Sequence, residues 1–200
     1  MKMRYRPSTE PSWWLTILIG TLVLLPAIAL AGKTIRVQGL NANYKITEKR
    51  GAWRLKGPGM NGFAIRDEGG GTWSILDPAG AIRLKGKKSD QDELILEDVA
   101  GVLKYKIVFK DQSYVVYDSS GELFVRVVIT GDDGFEIYGH DGKKTMVGIA
   151  KKRSVAVKDV KSSTVLFKIK GCDTMMEASL FAIPIQFTGN VLIWQVLSTR

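Results

Sequence analysis

One cysteine and one histidine in 200 residues leave little chemistry to build on. A lone thiol, Cys172, excludes an internal disulfide framework and any cysteine-rich zinc site, and such a residue is most simply a small buried apolar group. His140 stands in Gly139-His140-Asp141-Gly142, where Asp141 could orient it as a general base. Nothing fixes a nucleophile beside it, so the simpler reading is an exposed turn residue. Acids are also in short supply, 20 against 29 lysines and arginines, for a net charge of +9. The aspartates follow neither the EF-hand nor the nonapeptide calcium spacing. Gly32-Lys33-Thr34 is no phosphate loop, because Ala27 stands where the upstream glycine is needed. Gly69-Gly70-Gly71 has no strand-loop-helix context and reads as a loop. No enzyme activity, metal or cofactor is expected.

Long hydrophobic runs are equally few. The clearest is the uncharged stretch from Trp13 to Ala31, preceded by Lys2, Arg4 and Arg6 and ending in Ala29-Leu30-Ala31. That pattern predicts a secretory signal cleaved before Gly32, or else an uncleaved anchor of 19 residues. Under either reading the residues from 32 onward lie outside the cytoplasm, periplasmic or secreted. Three bases and one acid fall in 1–31, so the remainder carries +7. Outside the cytoplasm such an excess points to anionic lipid or cell-wall polymer rather than nucleic acid.

What the chain has in plenty is turns. Glycine or serine recurs at Gly80, Gly101, Gly121, Gly142 and Ser162, in steps of 21, 20, 21 and 20 residues, three times as Asp-x-x-Gly (Asp77, Asp98, Asp118). The fifth turn starts at Asp159. Each turn separates two short alternating runs, the signature of a β-hairpin. An earlier copy has its turn at 48–51, after a lead-in strand and turn over 33–43 and before a glycine-rich insertion over 57–71. Aligned on the turns, Tyr44/Ile46, Trp73/Ile75, Leu94/Leu96, Tyr114/Val116, Phe135/Ile137 and Val155/Val157 are all apolar and two apart, so they should line one interior.

Six hairpins predict a mainly β fold of about twelve antiparallel strands, and closure into a barrel removes both free edges. A barrel that wide exceeds the roughly eight strands whose own side chains fill the interior. The C-terminus offers a plug: Asp173 or Thr174 can cap a hydrophobic helix, expected over about 174–197 and broken at Pro184. The expected organisation is a leader over 1–31, a lead-in over 32–43 and a barrel with its helix over 44–200.

Hairpins such as Trp73-Ser-Ile-Leu-Asp77-Pro-Ala-Gly80 and Tyr114-Val-Val-Tyr-Asp118-Ser-Ser-Gly121, six in a row before a hydrophobic terminal helix, resemble the tubby-like barrel. That group includes the tubby C-terminal domain, LURP-one-related proteins and phospholipid scramblases. The resemblance implies a closed barrel around a central helix, with membrane or phosphoinositide association in some members. The export signal departs from a cytoplasmic phosphoinositide partner, and no binding residue carries over. Choline-binding cell-wall repeats are also hairpins of about 20 residues, but they stack aromatics in every unit. Here only Trp53 and Trp73 recur.

Basic residues carry the functional expectation. Arg54, Lys56, Arg83, Lys85, Lys104 and Lys106 alternate with inward residues on the returning strands of the first three hairpins. Returning strands two apart would set these six on one wall at about 10 Å spacing, suited to an anionic lipid or membrane surface. The alternative is a structural or protein-partner module of the envelope with no ligand site.

Overall fold

The computed structural model describes residues 32–39, 42–49, 52–59, 61–89 and 92–183. The expected leader and the second apolar run after Pro184 lie outside the described residues. Fourteen strands follow one another: β1 (Thr34–Gly39), β2 (Ala42–Lys49), β3 (Ala52–Lys56), β4 (Ala64–Gly69), β5 (Thr72–Leu76), β6 (Ile82–Lys88) and β7 (Glu93–Asp98). Then come β8 (Leu103–Lys110), β9 (Ser113–Tyr117), β10 (Leu123–Ile129), β11 (Gly134–Gly139), β12 (Lys144–Lys151), β13 (Ser154–Asp159) and β14 (Val165–Lys170). A six-residue helix, α1 (Met175–Leu180), follows. Each strand pairs antiparallel with its sequence neighbours, and β1 pairs with β14, so the barrel is closed.

Fourteen rather than twelve strands is a correction with two sources. The lead-in is a full strand, with Ile35 and Val37 buried, and it closes the barrel. The insertion over 57–71 contains β4, whose Ile65 is buried against Ile75 in register. One added strand reverses direction, so β3 runs opposite to β6 and β8.

The five later hairpins turn at one end of the barrel, three of them by the same chemistry. Asp77 accepts hydrogen bonds on Oδ1 from the N–H groups of Ala79 (2.9 Å) and Ala81 (2.9 Å). Asp98 does so from Ala100 and Val102, and Asp118 from Ser120 and Glu122. The turn then needs a left-handed residue, supplied by Gly80, Gly101 and Gly121 at φ 82°, 77° and 82°. A register shift follows in every one of these hairpins, as expected where an extra residue bulges beside the turn. In the last hairpin the left-handed position falls on Ser163 (φ 57°), one beyond Ser162. These hydrogen bonds from backbone and side-chain donors hold the turn carboxylates below the ordinary aspartate range.

The interior is largely apolar. Of the twelve aligned positions all but Tyr44 are buried, and Tyr44 packs against the same core. The helix belongs to that core. Ala178, Leu180 and Phe181 are buried among the inward side chains of the strands, and fully buried Tyr114 shares a 3.1 Å hydrogen bond with Ser179. Thr174 caps the helix by accepting from the Glu177 N–H (3.1 Å). At the mouth Lys33 holds Asp173 (2.6 Å) and buried Glu177 (2.5 Å). Cys172 is a half-buried thiol beside them, its pKa pushed up by burial and by the Glu177 charge. These surroundings disfavour its thiolate form.

Candidate anion-binding surface

All six expected bases point outward, and the barrel divides them into two groups. Arg83 binds the second oxygen of the Asp77 carboxylate with Nε (2.9 Å) and Nη2 (2.9 Å). Lys104 pairs with Asp98 Oδ2 (3.0 Å) and Lys106 with Glu93 Oε1 (2.8 Å). Lys85 lies in register with Glu97 and adds to the field that keeps the Glu68 carboxyl low, after the hydrogen bonds to Glu68 from Arg66 and Ser74. This half of the wall is therefore close to neutral. Arg54 and Lys56 sit apart on β3. The strands β4 and β5 separate them from β6, about 14 Å rather than 10 Å.

Arg54 and Lys56 instead join bases that the hairpin alignment did not bring together. In register across four adjacent strands lie Lys170 on β14, Arg36 on β1, Lys45 on β2 and Lys56 on β3. All four are exposed. Arg54 and Lys168 flank this row two residues along β3 and β14. Among the described residues none of these six has a carboxylate within ion-pair distance. Like charges directly opposite on paired strands cost stability, roughly 0.2–1 kcal/mol per pair. A row of four without a counter-charge is an arrangement that folding alone does not favour.

Beside the row runs a groove of about 540 Å³. Arg36, Lys45 and Lys56 line it together with Gln38, Asn43 and Asn61. The barrel exterior is charged at mid-strand, at Arg36, Lys45, Arg54 and Arg126 among others. Among the described residues no helix is long and apolar enough to cross a membrane.

His140 is exposed on the β11–β12 turn, beside a depression it shares with Asp118 and Glu122. Asp141 does not orient it. One oxygen of Asp141 accepts the Lys143 N–H (3.0 Å), and the other pairs with the Lys143 ammonium (3.2 Å).

These features define a closed antiparallel barrel with a terminal helix in its core and a one-signed patch on its outer wall. No protein-family model matches the chain, and a search of curated proteins returns no match. Among solved structures the chain is similar to a protein from Arabidopsis thaliana, AT5G01750, at 18% identity and a TM-score of 0.40, covering 68% of this chain and 90% of that one.

Proposed function

We propose that the protein is a non-enzymatic, tubby-like barrel, exported or held at a membrane by residues 13–31, that contacts an anionic lipid surface through a basic outer wall. The order of elements supports the tubby-like assignment: consecutive hairpins, closure of first strand on last, and a buried terminal helix. The contact rests on one observation, the row Lys170, Arg36, Lys45 and Lys56, which has no ion-paired carboxylate among the described residues. Of the wall expected from sequence, Arg54 and Lys56 belong to the contact, while Arg83, Lys104 and Lys106 are held by their own acids. Surface bases attract an anionic membrane at about 1 kcal/mol each, screened by salt.

The test is sedimentation of the full-length protein with phosphatidylcholine vesicles with and without phosphatidylglycerol. Neutralising Arg36, Lys45 and Lys56 together to glutamine is expected to weaken the anionic preference about 100-fold, from roughly 3 kcal/mol of lost attraction. The triple change of Arg83, Lys104 and Lys106 to glutamine should have a much smaller effect. If the second triple removes the preference and the first leaves it intact, the reading is wrong.

A further inference from the structure

The three Asp-x-x-Gly hairpins are built alike except at one position. In each, the residue six places after the aspartate is the extra one skipped by the register shift beside the turn: Arg83, Lys104 and Phe124. In the first two hairpins that residue is a base and takes the second carboxylate oxygen, Arg83 on Asp77 and Lys104 on Asp98. In the third it is a phenyl ring. Asp118 still gives Oδ1 to its turn, accepting from the Ser120 N–H (2.8 Å), the Ser120 hydroxyl (2.6 Å) and the Glu122 N–H (3.1 Å). Among the described residues no base pairs with it.

A depression of about 500 Å³ opens at this place. Asp118, Glu122 and His140 line it with polar groups, and Phe124, Ile137 and Met146 with apolar surface. No lysine or arginine lines it, although the chain as a whole carries +9. Two of the lining groups are fixed by contacts. The turn hydrogen bonds hold Asp118, and the half-buried Phe124 ring packs 5.7 Å from the ring of Tyr105.

We propose that this depression is a binding site for one guanidinium group, which reaches Asp118 from outside where the first hairpin uses its own Arg83. A guanidinium is planar and weakly hydrated, stacks on aromatic faces and donates to carboxylates through charge-assisted hydrogen bonds. A carboxylate beside a ring suits it better than it suits the compact, strongly hydrated ammonium of lysine. The site lies on β9 to β12, and the basic row lies on β14 and β1 to β3. It therefore does not depend on the lipid contact proposed above.

His140 is the only histidine in the chain, so its ring gives a single reporter signal in full-length protein labelled at histidine for NMR. N-acetylarginine amide is expected to shift that signal saturably with a Kd on the order of 1 mM, and N-acetyllysine amide to bind about tenfold more weakly. Asp118→Asn keeps the Oδ1 acceptor for the turn while removing the charge, and should weaken the arginine probe about tenfold. Phe124→Arg gives the third hairpin the base that the first one has, and should abolish the response by occupying Asp118 internally. Should that variant fail to fold, Asp118→Asn alone decides. A peptide with one arginine among alanines separates the two sources of the group. Tighter binding of the peptide than of the amide assigns the guanidinium to a partner protein, and equal binding assigns it to a free small cation. An unsaturable shift, equal binding of the arginine and lysine probes, or a response unchanged in Asp118→Asn or in folded Phe124→Arg overturns the site.

Discussion

Replacing Gly171 by alanine is expected to lower the melting temperature by roughly 10 °C, from a cost of about 3 kcal/mol. Gly171 is where β14 ends and the chain turns toward α1. Its φ is 86°, and an added Cβ would lie 2.0 Å from the Thr34 carbonyl oxygen and 3.1 Å from the carbon that bears it. That neighbour is backbone at the start of β1, so no rotamer change relieves the overlap. The strand would have to part from β14 at the seam that closes the barrel. Gly142 provides the comparison. It has φ 72° with nothing within 4 Å of an added Cβ, so alanine there brings only backbone strain, about 1 kcal/mol or 3 °C. Equal losses at the two positions would mean that the β1–β14 seam is not packed as described. Thermal melts followed by circular dichroism make the comparison.

Replacing Lys33 by methionine should cost about 2–3 kcal/mol, because it removes the ammonium paired with the carboxylate of buried Glu177. Lys33 is one-quarter exposed, which places the cost below that of a fully buried pair. Glu177 also accepts the Asp173 N–H (2.6 Å), so its charge organises the entry to the helix as well as the mouth of the barrel. Changing Glu177 to glutamine alongside Lys33→Met should recover part of the loss, and a coupling above about 1 kcal/mol in the double-mutant cycle is the expected readout. The pair also has a pH signature. Burial alone lowers the Lys33 pKa, but its hydrogen bonds and charge pairing with Asp173 and Glu177 outweigh this and raise it. A raised lysine contributes its stability in full below the unfolded value, about 10.4, and loses it as the pH rises through the folded value. The gap between native protein and Lys33→Met should therefore be constant from neutral pH to about 10 and shrink above it. Urea midpoints across that range would reveal it, and a gap indifferent to alkali would remove Lys33 from the account.

Much of the barrel is legible from alternation because its inward positions are filled so consistently by large apolar residues. Leu94/Leu96 and Phe135/Ile137 announce their strands without help from the rest of the chain. Strand β4 escapes because only Ala64 and Ile65 follow the pattern before Arg66-Asp67-Glu68-Gly69, with glycines on both sides. The helix is six residues long within the described part, and the expected span of about 174–197 runs beyond it.

The candidate site was harder to read, for a physical reason. Alternation says which residues point outward, but only pairing says which outward residues are neighbours. Arg36 and Lys170 are brought together by barrel closure from opposite ends of the folded unit, and no local pattern carries that contact. Arg83 and Lys104 of the expected wall are ion-paired because Asp77 and Asp98 have two oxygens. Oδ1 takes the turn N–H groups and Oδ2 remains for Arg83 or Lys104. A local pattern marks these acids as turn formers and does not show that they also pair with the bases beside them.

Both the architecture and the basic row depend on the first strand lying against the last. Cysteines introduced at Gln38 and Lys168, which face each other across that seam, test it most directly. Paired residues of this kind have Cα atoms about 4.5–5.5 Å apart, within disulfide reach. Native Cys172 has a thiol pushed away from reactivity by burial and should stay out of the exchange. Mild oxidation is predicted to give an intramolecular bridge as readily as in a Thr47→Cys, Arg54→Cys control across the β2–β3 pair. A control that closes while residues 38 and 168 stay reduced, or link only between molecules, would contradict the closed barrel and dissolve the row of charges with it.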